Sequence, residues 1–173
     1  SDLANDLGNL LSRTVAMTVK YFDGVIPAER EAGEFDAELK ALAEQTPGIF
    51  EEWMNKLDFS RALEAVWKLV SRTNKYIDET APWVLIKDPE KKGRLAEVMY
   101  NLTESLRIIS VLVGPAMPDT GIKIADELKV PEALRTWDSI KCFGGYPEGV
   151  QVERCEPIFP RIEMKKAEKT PEP

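Results

Sequence analysis

The stretch Arg72-Thr73-Asn74-Lys75-Tyr76-Ile77-Asp78-Glu79-Thr80-Ala81-Pro82-Trp83 closes a helix on a proline and sets a tryptophan just beyond it. Upstream, Leu63, Val66, Leu69, Val70, Thr73 and Ile77 recur at three- and four-residue steps and mark one apolar face. Glu64, Lys68, Arg72, Lys75 and Asp78 fill much of the remainder, so the helix is amphipathic and packs on a core. Asp58 is its expected N-cap, with Arg61 in the first turn. Pro82 has no N–H to donate and biases Ala81 away from helical torsions, so the helix breaks there and Trp83 stands at an element boundary. A ring so placed either seals a core, the commoner use of tryptophan, or stacks on a ligand.

Two further long helices flank this one. The first is expected over about Asp2 to Tyr21, its apolar stripe running through Leu3, Leu7, Leu10 or Leu11, Val15 and Phe22, with Gly8 as its weak point. On another face Asn9 and Arg13 lie one turn apart, and Lys20, eleven residues on, returns to within about 20° of Asn9. Such a row is usually a solvated face. Its chemistry also suits RNA: an amide and a guanidinium match base edges, and an ammonium matches a phosphate. The other long helix is expected from about Glu90 to Val113, amphipathic through Leu95, Val98, Met99, Leu102 and Leu106, then apolar around most of its circumference, hence central.

Shorter pieces fill the gaps. Phe35 to Gln45 reads as a short helix stopped by Thr46, Pro47 and Gly48, with a second helical piece over 48–56. Asp119 or Thr120 is the expected cap of a helix ending near Lys129, and residues 131–140 add one or two turns. From Cys142 onward glycine and proline recur too often for a long helix, so the end is an extended strap with room for one strand pair. The charged, proline-bearing residues 164–173 read as a disordered linker after a domain of residues 1–163. These elements predict an all-α bundle packed around Leu7, Leu63, Val66, Leu102, Leu106 and Ile109.

The composition narrows the function. Among 173 residues there is no histidine, which removes Ser-His-Asp and Cys-His hydrolysis, an imidazole base and histidine-containing zinc sites. Cys142 and Cys155, with twelve residues between them, cannot complete a structural zinc site alone, and no phosphate loop or EF-hand is present. Neighbouring carboxylates such as Glu51 and Glu52 diverge by about 100° on a helix and make no acid–base dyad. No catalytic or metal-binding residue is therefore assigned. A net charge of −7 argues against coating nucleic acid through a general field, but not against a local site that reads a few bases. No apolar run is long enough to span a bilayer, and Ser1-Asp2 lacks a basic signal-peptide head, so the reading is cytoplasmic.

Four strings in order, Leu7-Gly8-Asn9-Leu10-Leu11-Ser12-Arg13, Phe22-Asp23-Gly24, Asn74 to Glu79 leading into Ala81-Pro82-Trp83, and Phe159-Pro160-Arg161-Ile162, resemble the C-terminal helical part of methionyl-tRNA synthetases. The resemblance covers the chain up to Glu163 and implies the anticodon-binding helix bundle of a class I aminoacyl-tRNA synthetase. It implies that Asn9, Arg13, Pro82 and Trp83 contact the CAU anticodon of tRNA(Met), with Trp83 tied most closely to its first base. Lys20 joins them on helix geometry alone. The expected partners are the anticodon stem-loop and the catalytic domain of the same polypeptide. ATP, and the zinc of a knuckle insertion, would belong to that catalytic half. Its HIGH and KMSKS signatures are absent here, so this chain is expected to be inactive alone. Alternatives are the anticodon-binding domain of an isoleucine, valine, leucine or cysteine enzyme, which share a turn like Leu112 to Pro118, and a helical protein-interaction module without RNA function. The stacking reading adds that Trp83 is more exposed than Trp53 and Trp67.

Overall fold

A computed structural model describes the backbone of residues 2–160 and the side chains of residues 5–160. Six α-helices are found there: α1 (Asp2–Phe22), α2 (Asp36–Asn55), α3 (Phe59–Thr80), the single turn α4 (Pro82–Leu85), α5 (Lys92–Val113) and α6 (Pro118–Glu127). Short 3-10 turns stand at Pro89–Lys91, Glu132–Leu134 and Asp138–Ile140. The architecture is all-α, as the periodicity predicts. Asp58 caps α3, its carboxylate accepting the Arg61 N–H at 3.1 Å. The expected linker at 164–173 lies outside the described residues.

α5 is the central helix, packing against α1, α2, α3 and α6. Leu95, Val98, Met99, Leu102, Leu106, Ile108, Ile109, Leu112 and Val113 are all fully buried along it. They meet Leu7, Leu10 and Leu11 from α1 and Val66, Leu69, Val70 and Ile77 from α3 in one core. Full burial of each such side chain contributes roughly 1.5–3 kcal/mol, so this continuous seam holds the helices in register.

Four local expectations need correction. Pro47 does not divide two helices: α2 runs through it as one element. Its missing N–H and its ring cost about 3 kcal/mol in a helix interior. Leu39, Ala43, Thr46, Pro47 and Phe50 are all buried on that side, and the packing they gain outweighs the loss. Leu63 is only half-buried, because α3 turns its Ala62, Ala65, Val66 and Leu69 row inward, and the two alanines let α2 approach. Arg72, read as part of the solvated face, is buried; it donates to Glu79 at 2.8 Å and to Glu38 of α2 at 3.1 Å. Neither Asp119 nor Thr120 caps α6; Met117 occupies that position without a side-chain bond, and Pro118 starts the helix, where a missing N–H is no loss.

The strap is anchored by a polar cluster that periodicity does not reveal. Glu104 and Arg107 on α5 are both fully buried. Arg107 donates to both Glu104 oxygens at 2.8 Å. It also donates to the Leu134 and Ser139 carbonyls at 2.8 and 2.9 Å. Glu104 in turn accepts the N–H groups of Gly144, Gly145 and Tyr146 at 2.9–3.0 Å. Beyond this anchor Gln151 forms an isolated antiparallel bridge with Val25, and the Val152 N–H donates to the Gly24 carbonyl at 2.9 Å. Gly24 adopts a left-handed φ of 88°, and a Cβ there would lie 2.3 Å from the Val152 carbonyl oxygen, so only glycine allows the strap to pair at this turn.

Candidate nucleic-acid interface

Asn9 and Arg13 are both exposed on α1 and share a cleft with Asp6 of the same helix and Ser71 and Asn74 of α3. The two helices are tied at this cleft by the Asn74 side-chain amide, which donates to the Asp6 carbonyl at 3.3 Å. Arg13 approaches Asp78, one turn further along α3, at 3.6 Å, with side-chain exposures of 44% and 71%. An ion pair so exposed contributes at most about 1 kcal/mol. Asp78 therefore holds the guanidinium loosely, and a base edge or a phosphate can take its place. No partner for the Asn9 amide occurs among the described residues.

The same end of α3 places Trp83. The helix stops at Thr80, and Ala81 turns left-handed with φ 44° and ψ 67°. Its N–H still bonds back to the Ile77 carbonyl at 2.9 Å. The extended torsions usual before proline are not adopted, and a left-handed alanine costs on the order of 1–2 kcal/mol. Pro82 is buried as the first residue of α4, and Trp83 follows with 43% of its surface in water. Trp53 and Trp67 are half-buried and pack against the core, so Trp83 is the more exposed ring, as the stacking reading requires. Arg13 and Trp83 thus both adjoin the C-terminal end of α3, one through Asp78 and the other through the break three residues later.

A buried polar network fixes that end of α3. Asp36 at the start of α2 accepts from Arg94 of α5 at 2.9 Å, from the Tyr76 hydroxyl, and from the Gly33 N–H at 2.9 Å. Asn101 donates to the Tyr76 oxygen at 3.1 Å. Burial alone would raise the Asp36 carboxyl, but these hydrogen bonds outweigh it and hold it below the usual carboxylate range. Burial, reinforced by the bond to Asp36, pushes the Tyr76 hydroxyl well above its ordinary value, so it stays a proton donor. Asn74 and Asp78 flank Tyr76 on either side in sequence, and their positions depend on this clamp.

Lys20 is not brought to the cleft. It is exposed in the last turn of α1, on the expected face but about 16 Å along the axis from Asn9 at 1.5 Å per residue. Its ammonium lies 6.0 Å from the Tyr21 ring centre. Ser71 and Asn74, by contrast, join the site although the sequence reading did not single them out. Their spacing with Asp78 follows the polar row of α3, but nothing local says that this row faces α1.

The chain matches the family model for the anticodon binding domain of methionyl tRNA ligase over residues 26–172. It is 57% identical over 166 residues to the methionine–tRNA ligase of Caldanaerobacter subterraneus subsp. tengcongensis, covering 96% of this chain and 26% of that protein. Against the Bacillus subtilis enzyme it is 52% identical over 95% of this chain and 25% of that one. The free-state methionyl-tRNA synthetase of Mycobacterium tuberculosis superposes with a TM-score of 0.87 at 30% identity, covering 95% of this chain and 33% of that one. The chain spans about a quarter of the length of these curated relatives. Those relatives carry the name of the methionine enzyme rather than of the isoleucine, valine, leucine or cysteine enzymes. From the matched family model and the high identity to these ligases, the chain belongs to the family of anticodon-binding domains of methionyl-tRNA synthetases.

Proposed function

We propose that the face formed by Asn9, Arg13 and Trp83 reads the CAU anticodon of methionine transfer RNA in the cytoplasm. It would do so for a catalytic part that joins methionine to that RNA in an ATP-dependent reaction. The observation that carries this reading is the meeting, in one cleft beside α3, of an amide without a partner among the described residues and a guanidinium on a weak surface ion pair; Trp83, with 43% of its surface in water, follows five residues after Asp78, past the helix break. Trp83 offers a stacking platform for the first anticodon base, worth on the order of 1–3 kcal/mol. Asn9 and Arg13 present donor and acceptor geometry for base edges, each bidentate pairing adding about 1–3 kcal/mol of discrimination. Pro82 is buried, so its part is to set the break that aims Trp83. Lys20, further along α1, is assigned to a phosphate of the same RNA.

With a net charge of −7, recognition rests on local contacts rather than on a long-range attractive field. Methionine, ATP and any zinc are handled by the part of the polypeptide that this chain does not span, with residues 1–163 as the RNA-reading domain and 164–173 as its linker. The test is a titration of the chain with a CAU anticodon stem-loop and with loops carrying one changed anticodon base. A single change should weaken binding at least tenfold. Equal affinity for all the loops would sink the proposal.

A further inference from the structure

A second groove opens on the other side of Asn9. Asn5, Asn9 and Ser12 line it from α1, and Pro157, Phe159 and Pro160 line it from the strap. The Phe159 ring crosses α1 at Gly8, where a Cβ would sit 3.1 Å from the ring. This explains a glycine inside a long helix, where alanine would otherwise be favoured. The groove encloses about 470 Å³, within the range of small-ligand pockets. Its floor carries neutral amide and hydroxyl groups with no partner among the described residues, its wall is ring and proline, and no cation among the described residues lines it. Such a surface suits a base and its ribose hydroxyl rather than a phosphate. Asn9 also lines the Arg13 cleft, so one ligand filling both would be continuous across α1.

We propose that this groove holds a second, unpaired nucleotide of the same RNA loop, next to the anticodon triplet, with its base against Phe159 and its polar edge against Asn5 and Ser12. The inference rests on the anticodon reading above and deepens it, since recognition then extends beyond the three anticodon bases. Phe159 and Ser12 become binding residues, and the strap becomes part of the RNA surface and not only a tie across the bundle.

The test uses the 173-residue chain and CAU stem-loops with an abasic residue placed singly at each loop nucleotide flanking the triplet. Phe159→Leu should weaken binding of the intact loop by about 5- to 150-fold, the range of one lost stacked base. Ser12→Ala combined with Asn5→Ala, which changes only exposed side chains, should weaken it by about 5-fold or more, the lower end of one edge contact. One of the abasic loops should show the same loss with the unchanged protein, and no further loss with either variant. Unchanged affinity of both variants for the intact loop, or losses that multiply with every abasic site, would overturn the inference. Trp83→Ala separates the two readings. If it weakens binding while the groove variants do not, only the groove proposal fails; if none of the variants weakens binding, the anticodon reading fails with it.

Discussion

Arg107 and Arg13 are the same residue put to opposite uses. Arg107 has no exposed surface and donates to Glu104, Leu134 and Ser139. Arg13 is nearly half exposed and has one 3.6 Å contact to an aspartate that is itself mostly in water. A guanidinium whose donors are all used within the fold cannot read a ligand, and one left loosely paired adds little to stability. The two arginines separate the two tasks: Arg107, with its donors all used between elements, holds the frame, and Arg13, loosely paired on the surface, is left available to a ligand.

The sharpest way to break this contrast is to remove a buried partner. Glu104→Ala leaves Arg107 uncompensated and frees the strap N–H groups, and should lower stability by about 3–5 kcal/mol in denaturant unfolding. A loss below about 1 kcal/mol would mean that the pair does not hold the frame. The effect at Asp36 is smaller and depends on pH. Its folded carboxyl lies below its ordinary value near 3.9, so the unfolded state binds more protons around that pH. The stability this contributes is fully present above about pH 4 and is lost as the pH falls through the folded value. Asp36→Asn should therefore cost roughly 1.5–3 kcal/mol at neutral pH and flatten the acid limb of the stability curve below about pH 4. An unchanged slope there would place the acid sensitivity elsewhere.

At the exposed end of the contrast, Arg13→Ala should change stability by less than about 1 kcal/mol yet weaken stem-loop binding by about 1–3 kcal/mol, more for the matching anticodon than for a changed one. Lys20→Ala should have the smallest effect. A phosphate contact predicts a uniform weakening across loop sequences and a salt dependence shallower by about one unit of slope, and a sequence-dependent loss would assign Lys20 to a base.

What could be read from the chain and what could not divides along similar lines. The long helices beginning near Asp2, Asp58 and Glu90 were legible because each buries a stripe that repeats every 3.6 residues, a property of neighbours in sequence. Asn9 and Arg13 were legible as a pair for the same reason. Glu104 and Arg107 sit in what looks like the solid interior of an apolar helix, and their burial makes sense only with the N–H groups of Gly144 to Tyr146, some forty residues away. Arg72 was misplaced because its cross-helix partner, Glu38, becomes visible only once α2 lies along α3, and Glu79 lies two turns further along its own helix. The continuity of α2 through Pro47 is likewise decided by packing over local preference. Ser71 and Asn74 joined the Arg13 cleft, and Phe159 met Gly8, through contacts between elements, which no single helix pattern records.

The display of Trp83 for a ligand, as opposed to its use as a plug in the core, has consequences for both folding and binding. It is tested most directly by measuring, on the Trp83→Ala chain, both thermal unfolding and titration with the CAU stem-loop. Over two fifths of the residue is already in water. The substitution should therefore lower stability by no more than about 2 kcal/mol, while stem-loop binding weakens by about 1–3 kcal/mol through lost stacking. A stability loss of about 3–5 kcal/mol, as for a cavity left by a large core residue, together with unchanged RNA binding, would contradict it.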